Sequence, residues 1–231
     1  MLTPGIEFSA FLLIDGILAI IVGFIVYFND RTYILNKLLS LSLLFFSIFF
    51  FAEAFIYIIA PMNLDNQDII LNLFRDLTLF AGSIASATLI SASLYLNRGA
   101  GFLKNPWVSG TIWLFALLGA TFGNLFDEVV IENNEILFKN NFFTIVGAFI
   151  IPAIFVLMSL WEFYQLSLSV EEPLKRRIRL LILALVFLLL GITYYGFVEP
   201  LGLRQGIFFY LGHGFYFVTD CLVVLAFVKK H

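Results

Sequence analysis

Cysteine occurs once, at Cys221, which excludes an intramolecular disulfide and any cysteine-based metal cluster. Histidine occurs twice, at His213 and at the last residue, His231. That count excludes bis-histidine haem ligation by a pair of spans and a multi-histidine metal site. There is no glycine-rich phosphate loop, no His-Glu-x-x-His and no serine nucleophile elbow, so neither an enzyme nor a cofactor is expected. Charge is equally scarce: 13% of the 231 residues, where a soluble domain carries about a quarter. The formal charge is −3, and the basic residues lie in short loops rather than in a patch, which argues against nucleic acid as a partner.

Long apolar runs take the place of all this. Hydrophobic residues make up 61% of the chain and the mean hydropathy is +1.01. Too little polar surface remains to cover a water-facing globule, so the lipid bilayer is the expected solvent and partner. A hydrocarbon core of about 30 Å needs about 20 apolar helical residues, because every backbone polar group must be satisfied within the segment. Seven stretches qualify, at about 6–28, 38–60, 69–95, 107–125, 142–165, 178–198 and 207–228. The predicted fold is one all-α domain over residues 1–231, a seven-helix bundle crossing the cell membrane.

Residues 1–5 hold no positive charge and the first apolar run is long, so it is expected to remain rather than to be removed as a signal peptide. After the seventh span only Lys229-Lys230-His231 remains, and no output or catalytic domain is expected there. The loop 127–141 reads Val-Val-Ile, Glu-Asn-Asn-Glu, Ile-Leu-Phe; a short β-hairpin and an amphipathic lid both fit.

Cytoplasmic loops retain lysine and arginine. One set of connections holds Arg31, Lys37, Arg98, Lys104, Lys175, Arg176, Arg177, Arg179, Lys229 and Lys230. The other holds only Lys139 and Arg204, together with the acids Asp65, Asp68, Asp127, Glu128, Glu132 and Glu135. The expected orientation is N-terminus outside and C-terminus in the cytoplasm.

Ionisable residues inside hydrocarbon are costly and face the bundle interior, so they mark candidate sites. Here they are Asp15, Glu53, Arg75, Asp76, His213 and Asp220. At about 1.5 Å of rise per residue, Glu53, Arg75 and His213 each lie roughly 9–10 Å below their outer helix ends, with Asp15 and Asp220 deeper. One reading is an outward-opening pocket in which Arg75 is the counter-ion of Glu53 or Asp76, or the anchor of an anionic ligand. The other is a buried ion pair that fixes packing, with the remaining acids protonated. For His213 alone a structural hydrogen bond is the simpler role.

The third span should be central: Arg75, Gly82, Ser86 and Ser93 share a face, and Ala81, Ser83, Ala85, Ala87 and Ala92 keep the helix thin. Gly119-x-x-x-Gly123 in the fourth span is a second close-approach pattern. Lys175, Arg176, Arg177 and Arg179 read first as topology and headgroup attraction, and second as a surface for a separate partner.

Arg75 and Asp220 on a seven-span frame are superficially similar to microbial rhodopsins, but that family requires a lysine where Val224 stands, which excludes a retinal Schiff base. The chain more closely resembles the seven-transmembrane sensor region that precedes many bacterial and archaeal histidine kinases. The likeness rests on Ala52-Glu53-Ala54, Leu73-Phe74-Arg75, Lys175-Arg176-Arg177 and Phe227-Val228-Lys229-Lys230. The family's aromatic-rich outer loop and its proline in the third span are not matched, and no kinase is expected. Outer-half polarity and a bare basic cytoplasmic face lead to the expectation of a stand-alone sensor or receptor-like module that binds a small ligand, ion or lipid on the outer side and signals to a separate partner. A small proton-coupled transporter using Asp15, Asp76 and Asp220, and a structural subunit of a membrane complex, are the alternatives.

Overall fold

A computed structural model describes residues 3–62, 64–132, 135–172, 174–201 and 206–227, with 3–6, 132 and 135 described as backbone only. Seven helices are long and apolar enough to cross a membrane. They are α1 (Thr3–Asn29), α2 (Ile34–Ile59), α3 (Gln67–Arg98), α4 (Pro106–Phe126), α5 (Phe142–Ser169), α6 (Leu174–Val198) and α7 (Ile207–Phe227). Two strands, β1 (Asp127–Glu132) and β2 (Glu135–Asn140), join α4 to α5 and pair antiparallel, with Asp127 opposite Asn140. The chain is thus a multi-pass helical membrane protein carrying one small sheet. Val228, Lys229, Lys230, Gly202, Arg204 and the 133–134 tip of the strand pair lie outside the described residues.

Several helices run past the predicted apolar stretches because polar groups complete their ends. Asn36 enters α2 by donating to the backbone oxygen of Asp30 at 3.2 Å. The Asn105 side chain accepts from Trp107 N at 3.0 Å, and Pro106 occupies the first helical position, where its missing N–H costs nothing. Asn141 caps α5 likewise, accepting from Phe143 N at 2.8 Å and Thr144 N at 3.0 Å.

Outward surfaces of the helices are apolar, as lipid demands. On α1 the exposed positions Phe11, Ile14, Ile17, Ile21, Phe24 and Phe28 recur at helical spacing, while Phe8, Leu12, Ala19, Val22 and Val26 turn inward. α1 packs on α2 and α7, α6 packs on α5 and α7, and α3 lies between α2, α4 and α5. The central place predicted for α3 is borne out: 83% of its most apolar window is buried, against 28% for α4. Several of its hydroxyls are satisfied on its own backbone, Ser86 donating to Gly82 O, Thr88 to Ile84 O and Ser91 to Ala87 O. α2 adds an interhelical bond from Ser42 Oγ to Ala85 O at 2.8 Å.

α4 and α5 are in close backbone contact at glycines. A Cβ at Gly119 would lie 3.2 Å from the carbonyl oxygen of Gly147, and one on Gly147 would collide with backbone atoms of Gly119 and Gly123. Gly147 lies in a single π turn, Val146–Ile150, inside α5. Nothing in the apolar periodicity announces this turn.

Candidate functional site

The entrance to α3 is tied down before any charge is placed. Gln67 donates from Nε2 to the backbone oxygens of Ile59 at 2.9 Å and Ala60 at 2.6 Å, joining the end of α2 to the start of α3. One turn on, Asn72 Oδ1 accepts from Val129 N at 2.8 Å and fixes β1 against α3. Arg75 follows three residues later on the same face.

The Arg75 guanidinium bridges two carboxylates, donating from Nε to Asp127 and from Nη2 to Glu199. Its Cζ lies 4.7 Å from the centre of the Phe138 ring on β2. Asn140 donates to the same Glu199 oxygen at 2.9 Å. The base of the strand pair, the start of α3 and the end of α6 are therefore held by one buried fork, Arg75 being 3% exposed. A planar guanidinium with several donors suits two carboxylates as a lysine does not. Burial pushes the Glu199 carboxyl above its ordinary range, with Arg75 pulling against it.

Behind this fork is a cavity enclosing about 570 Å³ of space, its open mouth included. Glu53, Arg75, Glu199, Tyr195, Ser83 and the π turn of α5 contribute to its wall. Glu53 is wholly buried. Ser83 Oγ is buried and makes no hydrogen bond among the described residues, so a polar group faces the space without a partner. Gly82 keeps the α3 wall low: a Cβ there would sit 3.3 Å from the Phe49 ring.

The six intramembrane candidates divide. Glu53 and Arg75 share this cavity, but the ion-pair partners of Arg75 are Asp127 and Glu199 rather than the expected Glu53 or Asp76. The fork needs acids at the ends of neighbouring elements, and those two stand at the first residue of β1 and just past α6. Asp76 is half-buried and takes no hydrogen bond or ion pair among the described residues. Asp15 and His213 meet each other, Oδ2 to Nδ1 at 3.1 Å, among the rings of Phe50, Phe209 and Tyr195. Asp220 lines a separate cavity. Asp127, Glu199, Asn140 and Asn72 were not candidates; their one sequence signal was polarity directly at a span boundary.

At the opposite end of the bundle, Glu162 of α5 binds Arg98 Nη2 at 2.5 Å and Asn97 Nδ2 at 2.6 Å, closing α3 onto α5. Arg176 and Arg179 are exposed and Lys175 and Arg177 half-buried, with Arg179 3.7 Å from Glu172. No group of His, Cys, Asp and Glu among the described residues could hold a metal ion. No family model matches the chain, and no curated protein matches its sequence.

Proposed function

We propose that this protein is a sensor of the cell membrane that takes a small ligand or ion into the cavity behind the Arg75 fork and passes a helix shift across the bilayer to a signalling partner. In this reading the sheet end is outside and the basic end, with Arg98, Lys104, Lys175, Arg176, Arg177 and Arg179, is cytoplasmic, following the positive-inside bias. The observation that carries it is the cavity itself, where buried Glu53, the forked Arg75 and an unpartnered Ser83 hydroxyl meet beside a π turn. Irregular turns of this kind recur at functional sites because they re-aim backbone and side chains. Polar groups gathered in an apolar bundle give an occupant orientation, and the surrounding rings give it an apolar bed. An occupant that competes for Arg75 loosens the tie between the strand pair and α6, and a shift of α6 moves the basic residues at its other end.

The test replaces Glu53 by Gln and, separately, fills the cavity with Ser83→Leu. In a strain deleted for this gene, wild type should restore the transcript profile and both variants should fail while reaching the membrane in normal amounts. Full restoration by both overturns the proposal.

A second reading, proton-coupled transport, is favoured by one observation: Asp15, His213 and Asp220 are all buried, with Asp15 and His213 in contact. Protein reconstituted in vesicles and showing no solute or proton flux under an imposed proton gradient would remove it.

A further inference from the structure

A second cavity lies in the half of the bundle away from the sheet. Its wall is drawn from the first half of α2 (Leu39, Leu43), the first half of α6 (Leu181, Leu185) and the second half of α7 (Thr219, Asp220). It encloses about 640 Å³ of space, its opening included. Aromatic rings of Phe46, Phe50, Phe163 and Tyr216 also border it.

The hydroxyls of Ser42 and Thr219 in its wall are occupied. Ser42 Oγ donates to Ala85 O, and Thr219 Oγ1 to Ala184 O at 3.2 Å and Phe215 O at 2.9 Å. Asp220 differs: it is 5% exposed, and its Oδ2 is buried without a hydrogen-bond partner among the described residues. A buried carboxyl with an open acceptor in an apolar wall is costly unless something supplies a donor or a positive charge. No lysine or arginine borders this cavity. Hydrocarbon and aromatic faces around a single carboxyl suit a cation with an apolar body, since the rings attract the charge and the acid pairs with it.

We propose that this cavity binds a lipophilic amine, its ammonium on Asp220 and its hydrocarbon chain between α2 and α6. Such a molecule reaches the site from the bilayer. Because Phe46 and Tyr216 border both cavities, an occupant here also touches the wall of the space behind Arg75.

The test uses the full chain in nanodiscs of zwitterionic lipid, titrated with n-octylamine and with n-octanol, with empty nanodiscs subtracted. The wild type should bind octylamine saturably and about tenfold more tightly than octanol, the size of one charge-assisted hydrogen bond. Asp220→Asn should bring octylamine down to the affinity of octanol and leave octanol unchanged. Leu185→Trp, which fills the space, should abolish saturable binding of both, and it keeps the proposal testable if the Asp220 variant does not fold. Equal affinities for the two probes in wild type, an amine preference that survives Asp220→Asn, or binding unaffected by Leu185→Trp would each overturn it. Glu53 and Arg75 play no part in the measurement, so its failure leaves the reading of the other cavity standing.

Discussion

Arg75 holds together elements from three places in the sequence, the start of α3, the base of the strand pair and the end of α6. Removing one partner of a buried ion pair leaves the others charged and desolvated, so Arg75→Ala should lower stability by about 3–5 kcal/mol. Arg75→Lys should recover part of that, since an ammonium keeps the charge but cannot fork between Asp127 and Glu199. Unfolding in mixed micelles measures both. Asp30, in the loop between α1 and α2, is a smaller case with a clear pH signature. The Thr32 hydroxyl and then the Thr32 N–H donate to its carboxylate and hold it below its ordinary value of 3.8. A depressed carboxylate contributes stability that is complete above 3.8 and is lost as pH falls through the lower folded value. Thr32→Val should therefore lower the unfolding midpoint at neutral pH, with the difference from wild type fading under strong acid. That Arg75 and Glu53 would be buried inside the bundle was legible in the sequence, as rare charge inside apolar spans. Their partners were not, because Asp127 and Glu199 look like ordinary punctuation at helix ends until the chain folds back on itself.

Helix by helix, the sequence was most informative where lipid sets the rule. Apolar length located all seven spans, and polar caps such as Asn105 and Asn141 account for where α4 and α5 begin. The thin face of α3 and the Gly119/Gly123 pair correctly marked close contacts. The partner of those glycines, Gly147, required the π turn, a feature of backbone packing with no periodic signature. Gly147→Ala should cost about 1–3 kcal/mol, because the new methyl meets backbone atoms of α4 that cannot rotate away. Gly101→Ala, with nothing within 4 Å of its added carbon, should be neutral or stabilising by up to about 1 kcal/mol. Thermal unfolding of the two variants side by side separates a packing glycine from an incidental one.

The bundle as a whole is tied at both ends by charge: the Arg75 fork under the strand pair, and Glu162 with Arg98 and Asn97 at the other end. Between them lie two cavities that meet at Phe46 and Tyr216. The proposed orientation has a direct check. In a Cys221→Ser background, Glu128→Cys beside the strand pair should react with a membrane-impermeant maleimide on intact cells, whereas Arg176→Cys should react only after the membrane is opened. The reverse pattern would turn the molecule over.

Composition and apolar run length suffice to establish a multi-pass helical membrane protein, and lysine and arginine placement supplies an expected orientation, because both rest on how each segment meets lipid and water separately. Which charges meet is a different kind of fact. Asp15, Glu53, Arg75, Asp76, His213 and Asp220 could be picked out as a set from one-dimensional hydropathy, yet folding puts Glu53 and Arg75 in the fork cavity, Asp15 against His213 and Asp220 in a cavity of its own, and leaves Asp76 in none of these. That division depends on the rotation and depth of each helix, which are set by packing between residues far apart in the chain.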